Sequence, residues 1–216
     1  MSVMTPPSNE KPSAMLPSAR AIILASASAA RRRMFADAGV PVGLDPANLD
    51  ETELKRSMVA EKVSPRDMAD FLAEMKATKV SHRHRGALVV GADQVLVLGD
   101  LVFDKPADRD HAKAHLRALR GRRHKLISAV VVCENGAPVW RHIAEATLEM
   151  RPFSDEFLDA YLAAAGDAVL SSVGAYQLEG LGLQLFNKVE GDHFTILGLP
   201  LLAVLDYLRI RGAIGS

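Results

Sequence analysis

Short apolar runs, each ending at glycine or at a turn-forming polar residue, constrain the fold of this chain most strongly. Residues 21–25 read AIILA and residues 87–92 read ALVVGA. Runs of this length with little polar interruption are typical of strands that are buried on both faces of an α/β sheet. Both are therefore predicted to be strands, and the helical patterns between them predict the α/β class.

The first run leads into a predicted strand–turn–helix unit. Ser28 is a candidate N-cap for a helix over AARRRMFADA, Gly39 suits the residue beyond its end, and Pro41 prevents continuation. The amides at such a helix start are unpaired and carry a partial positive charge. Serines and three successive arginines beside them indicate an anion site, but a solvated arginine face on a surface helix explains the same residues. The residues alone leave both interpretations open.

The second run is predicted to end at Asp93. After it, VLVL and LVF are predicted to form a hairpin around Gly99 and Asp100, and Lys105 follows the hairpin. A carboxylate at a strand end is often only a turn residue, yet α/β proteins also place catalytic acids there. Asp93 is therefore a candidate catalytic acid.

The remaining elements follow weaker signals. A helix is predicted to begin at Ser64 and Pro65, and residues 45–56 read as a polar, turn-rich connection. Further helices are expected before Gly121, after Ser154 and from near Pro200, and further strands in HKLISAVVVC, WRHIAEATLEMRPF and LQLFNKV. The residues of the Ser64 helix that are expected to face the core are Met68, Phe71, Leu72 and Met75.

Composition limits the class of protein. The 216 residues contain 26 Lys plus Arg and 26 Asp plus Glu, a zero net charge that argues against a protein coating nucleic-acid polymers. No uncharged apolar run reaches the roughly 18 residues that a membrane helix needs. The Pro- and Ser-rich residues 1–19 lack a signal-peptide core and are expected to be disordered, with a single domain over residues 20–212. The one cysteine, Cys133, is expected to be a buried thiol in a reducing, cytoplasmic protein.

Seven segments, in order along the chain, resemble the motifs of one family. They read ASASAARR, LDETE, LAEMKATKV, VVGADQVLV, FDKPADRDHA, VGAYQLEGLG and ILGLPLLAVLDYL. Their order and spacing are similar to those of the Maf family of nucleoside triphosphate pyrophosphatases, also called septum-formation inhibitor Maf-like proteins. No single motif is decisive, but the seven together extend from about residue 21 to residue 210.

The resemblance implies a fold and an activity. The fold is the Maf/ITPase-like α/β fold, with an elongated, twisted mixed sheet flanked by helices and a central nucleotide cleft between two lobes. The activity is hydrolysis of a nucleoside triphosphate to the monophosphate and pyrophosphate, with a divalent metal cation, Mg²⁺ or Mn²⁺, as cofactor. The implied partner is the nucleoside triphosphate, with no nucleic-acid polymer and no membrane, and a homodimer is left open.

The resemblance also implies site residues at the positions that match the family motifs. Asp93, Lys105 and Arg31 are expected to be catalytic, and Glu51 and Asp93 to hold the metal. The residues expected to bind substrate are Ser28, Arg31, Arg32, Lys76, Lys105 and Glu179.

Positions at which the chain departs from the family pattern indicate which nucleotide base it prefers. Ala29 stands in place of the loop proline, which loosens the loop, and Ala30 precedes the arginine pair as an extra residue. Ala30, the segment GADQ and Glu179 in QLEGLGLQLFNKVEG favour the branch that acts on 7-methyl-GTP over the branch that acts on dTTP and UTP. A dTTP/UTP pyrophosphatase and a non-catalytic nucleotide-binding regulator of septum formation remain the alternatives.

Overall fold

A seven-stranded mixed sheet forms the frame of the protein in the computed structural model, which describes residues 20–215. The expected disorder of residues 1–19 lies outside the described residues. The strands are β1 (Ile22–Leu24), β2 (Gly43–Leu44), β3 (Leu88–Leu98), β4 (Leu101–Phe103), β5 (Arg123–Glu134), β6 (Ala137–Met150) and β7 (Phe186–Glu190). Their order is β2-β1-β3-β5-β6-β7, with β4 also paired to β3. The predicted mixed α/β architecture is therefore confirmed.

Within residues 20–215, seven α-helices accompany this sheet. They are α1 (Ala29–Asp37), α2 (Glu51–Ala60), α3 (Pro65–Ser81), α4 (Arg109–Leu119), α5 (Asp155–Ala165), α6 (His193–Ile196) and α7 (Leu201–Ile210). Three short 3₁₀ helices lie at Gly166–Ser171, Val173–Ala175 and Leu181–Leu185. None of the described helices is long and apolar enough to cross a membrane.

Strand β3 carries the core on both of its faces. Its residues 89, 95 and 97 pack toward α3, whereas residues 88, 90 and 92 belong to an apolar cluster with α1 and α7. Farther along the second face, Leu96 belongs to a separate cluster with α4 and α5. Two apolar clusters therefore share one face of the same strand.

Asp93 lies within β3 and not at its end, so the predicted strand end is wrong. On one side of β3, β5 pairs with residues 89–97 without a break. On the other side, β1 pairs with residues 88–90 and β4 with residues 96–98. The strand continues because β5 supports it, while Asp93 lies in the interval that neither β1 nor β4 covers.

Helix α2 was not predicted, because residues 45–56 read as a polar connection. The Asp50 side chain caps the helix by accepting a hydrogen bond from the Glu53 amide at 3.1 Å. Asp at the N-cap with Glu three residues later is a variant of the capping box, which is a helix-start signal present in the sequence. The helix places Glu51 in its first turn and Lys55 one turn later on the same side.

Helix α3 confirms the predicted helix start at Ser64 and Pro65, where Ser64 is the N-cap, and corrects part of the predicted core face. Met68 and Leu72 are fully buried, but Phe71 is 44% exposed and Met75 is only half-buried. The buried face of α3 also carries the small residues Ala69, Ala73 and Ala77, and Phe71 lies outside this face. Lys76 lies on the buried face as well, with 5% exposure.

Gly91 sets the distance between α3 and β3. A Cβ atom at this position would lie 2.3 Å from the Ala73 carbonyl oxygen and 2.6 Å from the Ala77 amide nitrogen. Both are backbone atoms of α3, so the helix would have to move. Because Lys76 lies on this part of α3, Gly91 also controls how closely Lys76 approaches β3.

We expect Gly91→Ala to lower the free energy of unfolding by about 1–3 kcal/mol, as overpacking does in a close-packed core. Urea unfolding measures this change. Gly180→Ala is the matched control, because a Cβ there meets no atom within 4 Å and the backbone φ is −139°. Equal stability of the two variants would contradict the packing argument.

Candidate active site

A cavity of about 610 Å³ opens beside the uncovered interval of β3. Its volume is in the range of sites for small organic ligands. The loop before α1, the start of α2, the middle of β3 and the segment of residues 170–179 supply its walls. The charged and hydroxyl-bearing residues that line it are Ser26, Ser28, Arg31, Glu51, Lys55, Lys76, Asp93, Lys105, Ser171, Ser172, Tyr176 and Glu179.

The three successive arginines of α1 have different environments. Ser28 caps the helix by accepting a hydrogen bond from the Arg31 amide at 3.4 Å. The Arg31 side chain is buried, with Nε donating to the Gly198 carbonyl at 2.8 Å and Nη1 to Ser26 Oγ at 3.2 Å. Burial lowers the pKa of Arg31, although Asp93 and Glu51 act against this shift.

Arg32, which is also predicted to bind substrate, is not among the residues that line the cavity. Its side chain is exposed, and so is that of Arg33, which pairs with Asp37 at 3.4 Å. Successive residues of a helix point about 100° apart, so one face of α1 can bring only one member of the run to the cavity. Arg31 is that member.

Two carboxylates and one ammonium form the centre of the site. Lys76 Nζ lies 2.6 Å from Asp93 Oδ1 and 2.8 Å from Glu51 Oε2. Asp93 is 4% exposed, whereas the Glu51 side chain is open to solvent. Helix α3, strand β3 and the start of α2 thus bring together three residues that the resemblance implied.

Lys55 belongs to the same cluster and was missed by the sequence analysis. Its buried Nζ lies 3.8 Å from Asp93 Oδ2 and 3.2 Å from Asp104 Oδ1, so it links β3 to the segment before Lys105. Charges alternate along the series Glu51, Lys76, Asp93, Lys55 and Asp104. The four-residue spacing between Glu51 and Lys55 would have placed both on one side, had α2 been predicted.

Asp93 remains ionised in spite of its burial. Burial by itself would raise the pKa of this carboxyl group, but the charges of Lys76, Lys55 and Arg31 outweigh it and lower the pKa. Oδ2 is buried and has no hydrogen-bond partner within residues 20–215. One oxygen of a charged carboxylate is therefore left without a hydrogen bond.

Lys105 lines the cavity from the loop after β4. Partial desolvation lowers its pKa; Glu51 acts against this shift, and Arg31, Lys76 and Lys55 add to it. Within the described part of the chain, no carboxylate lies at ion-pair distance from its Nζ. The ammonium is therefore available to an anion in the cavity.

The two carboxylates fit a divalent cation that binds together with phosphate. In the described range, no group of three or more His, Cys, Asp or Glu side chains could hold a metal ion by itself. Mg²⁺ is often bound by one or two carboxylates plus substrate phosphates. Glu51 and Asp93, with the unbonded Oδ2 oxygen, meet that requirement.

Another wall of the cavity comes from residues 170–179. Tyr176 anchors it, because its hydroxyl group hydrogen-bonds His124 Nε2 in the sheet at 2.8 Å. Tyr161 adds a hydrogen bond from its hydroxyl group to the Ala175 carbonyl at 3.3 Å. Glu179 lies at the exposed end of this wall, far along the chain from the phosphate-site candidates.

The buried His124 predicts a pH dependence of stability. Burial lowers its pKa from 6.5 to about 4. Between these values the unfolded chain binds a proton that the folded chain does not, so stability falls as the pH is lowered, by at most about 1.4 kcal/mol per pH unit. We expect urea unfolding of His124→Gln to show a weaker pH dependence than the parent protein. The exposed His142 provides the control variant, His142→Gln, and parallel curves for all three proteins would contradict the assignment.

Comparison with known proteins agrees with this geometry. The sequence model of the Maf-like protein family matches residues 21–210. A nucleoside triphosphate pyrophosphatase of Paramagnetospirillum magneticum is 57% identical over 190 residues, which are 88% of this chain and 98% of that protein. A 7-methyl-GTP pyrophosphatase of Mesorhizobium japonicum is 52% identical over 193 residues, 89% of this chain and 97% of that protein. With a match of this extent, the chain belongs to the Maf-like protein family.

Proposed function

We propose that this protein is a nucleoside triphosphate pyrophosphatase that hydrolyses a modified nucleotide to the monophosphate and pyrophosphate. The observation that carries the proposal is the buried, ionised Asp93 next to Lys76 and Glu51, in a cavity that Arg31 and Lys105 also line. Relatives with about half of their residues identical carry the name nucleoside triphosphate pyrophosphatase. Removal of such a nucleotide from the cytoplasmic pool would be a house-cleaning role.

The cations of the cavity suit a triphosphate. Arg31 would donate to phosphate oxygens from the start of α1, where Ser28 and the unpaired amides add further donors. Lys76 and Lys105 would neutralise the remaining phosphate charge as compact cations. These groups stabilise the charge that develops on pyrophosphate as it leaves.

Glu51 and Asp93 would hold Mg²⁺ or Mn²⁺ together with the substrate phosphates. A metal bound there would supply charge neutralisation on the phosphate oxygens. Such cations prefer oxygen ligands, and the two carboxylates supply them.

Asp93 is assigned to the attacking water. The water oxygen forms a bond to the α-phosphorus, the bond from that phosphorus to the bridging oxygen breaks, and pyrophosphate leaves with the bond electrons. Asp93 accepts a hydrogen bond from the water and directs its lone pair, and the water proton passes through the carboxylate to solvent. The lowered pKa of Asp93 keeps it in the acceptor form at neutral pH.

The proposed base is 7-methylguanine. Glu179 lies at the cavity wall, and a carboxylate can accept hydrogen bonds from the N1–H and N2–H groups of guanine. The positive charge of a 7-methylated ring would strengthen this contact. Relatives from Mesorhizobium japonicum and Rhizobium meliloti, which are named 7-methyl-GTP pyrophosphatases, support this choice over dTTP or UTP.

We expect Asp93→Asn to lower kcat by at least about a hundredfold while a non-hydrolysable triphosphate still binds. Asn keeps the volume of the side chain and removes its charge. Pyrophosphate release and titration calorimetry measure the two quantities. Asp100→Asn, in the exposed β3–β4 turn, is the control with parental activity. Near-parental turnover of Asp93→Asn would refute the role of Asp93.

We expect kcat/KM for 7-methyl-GTP to exceed the values for dTTP and UTP by at least tenfold, or about 1.4 kcal/mol of activation free energy. A pyrophosphate-release assay with Mg²⁺ on a nucleotide panel measures this ratio. Glu179→Gln should reduce the preference, because glutamine donates where the carboxylate only accepts. Preference for dTTP or UTP would leave the pyrophosphatase proposal in place and remove the base assignment. Release from no nucleotide would favour the non-catalytic regulator.

A further inference from the structure

Ser128 is a hydroxyl group buried in the middle of an apolar strand. It lies on β5 directly across from Gln94 of β3 and has 0% exposure. Its Oγ donates to the Thr195 carbonyl at 2.8 Å and accepts from Gln94 Nε2 at 3.0 Å. A buried hydroxyl costs free energy unless it is hydrogen-bonded, and here both of its bonds point to the same small network.

Gln94 extends this network to the turn around α6. Its Nε2 is also within hydrogen-bond distance of the Thr195 and Ile196 carbonyls, at 3.1 and 3.0 Å. Gln94 lies on β3 between the two apolar clusters that share this face. Together, Ser128 and Gln94 hold the backbone of residues 195 and 196 against the sheet.

The turn itself is rigid by its own hydrogen bonds. Asp192 Oδ2 accepts from both the amide and the hydroxyl group of Thr195, and the Gly198 amide donates to the Thr195 carbonyl at 3.0 Å. Gly198 has φ +97°, a conformation that favours glycine. The Gly198 backbone, which carries the carbonyl that Arg31 uses, is therefore hydrogen-bonded to the Thr195 carbonyl that Ser128 and Gln94 also bind.

The Gly198 carbonyl is the acceptor for Arg31 Nε at 2.8 Å. A Cβ atom on Gly198 would lie 3.3 Å from Arg31 Nη2, so the turn also packs against the guanidinium. Nε and Nη1 of Arg31 bond to the protein, and no hydrogen-bond partner of Nη2 lies within residues 20–215. The guanidinium is thus fixed before any ligand binds.

We propose that Ser128 is a positioning residue. It acts, together with the cavity residue Gln94, through residues 195–198 to hold Arg31 in the orientation that binds the triphosphate. The inference rests on the proposed function, since it assigns Arg31 to phosphate. A side chain ordered in advance loses no further conformational freedom on binding, which raises affinity. The effect should be confined to ligands that Arg31 contacts.

Ser128→Ala tests the network, because Ser128 does not line the cavity and the substitution removes only the hydroxyl group. Affinities of a non-hydrolysable triphosphate and of the monophosphate are measured by titration calorimetry. We expect about fivefold to tenfold weaker triphosphate binding, the size of one buried hydrogen bond, with unchanged monophosphate binding. The control is Ser81→Ala, which removes an equally buried hydroxyl that accepts from the Gly136 amide at 3.0 Å and should change neither affinity.

A double-mutant cycle with Arg31→Ala shows whether Ser128 affects triphosphate binding through Arg31. If Ser128 acts through Arg31, Ser128→Ala has no further effect on triphosphate binding in the Arg31→Ala protein. Additive effects, or equal weakening of both ligands, would overturn the inference. Gly198→Ala acts at the other end of the network and should reproduce the selective loss, which keeps the test usable if Ser128→Ala does not fold.

The same binding data distinguish a failure of the positioning network from a failure of the proposed function. If Arg31→Ala weakens triphosphate binding and Ser128→Ala behaves like Ser81→Ala, the positioning network is wrong and the proposed function stands. If Arg31→Ala binds triphosphate as the parent protein does, the phosphate role of Arg31 and the network both fail. Arg33→Ala, which removes an exposed arginine of the same helix, calibrates the effect of losing one surface charge.

Discussion

The buried carboxylate of Asp93 is the charge around which this site is arranged. A single carboxylate at this depth would be expensive to ionise, and three cations from three different elements offset that cost. Lys76 comes from α3, Lys55 from α2 and Arg31 from α1. Each of these helices is thereby held to the middle of β3, so the packing of the protein and the charge pattern of its cavity have a common origin.

The space that these charged side chains occupy beside β3 results from the pairing of the strands. One side of β3 is paired along nearly its whole length, whereas the other side changes partner from β1 to β4 and leaves an uncovered interval. Side chains can enter the interval without displacing a strand. Gly91 completes the geometry, because it lets the backbone of α3 approach close enough for Lys76 to reach Asp93.

Two parts of the cavity differ in how they are supported. The phosphate-site candidates are held by buried ion pairs and by the hydrogen bonds of Arg31 to Ser26 and Gly198. The wall that carries Glu179 is held by Tyr176 on His124, and its outer end is exposed. Under the proposed function, the phosphate end of the cavity is held by buried contacts, and the end that would receive the base is more exposed.

Sequence patterns by themselves determined the class of the fold and most of its elements. The Ser28 cap, the helix start at Ser64, the strand within residues 21–25 and the buried Cys133 are as predicted, because helix starts and apolar runs depend on neighbouring residues. Motif order was also sufficient to identify the family. The continuation of β3 through Asp93 was not predictable, since it depends on pairing with β5, where the partner of Asp93 is the distant Ala129.

Only the tertiary structure decided which members of each charged run share the site. It selected Arg31 and left Arg32 exposed, and it added Lys55, which no motif indicated. It also linked Ser128 to Arg31 through residues 195–198. The physical reason is that charge and hydrogen-bond partners are set by distance in space, whereas a sequence pattern reports only which residues occupy the same face of one element.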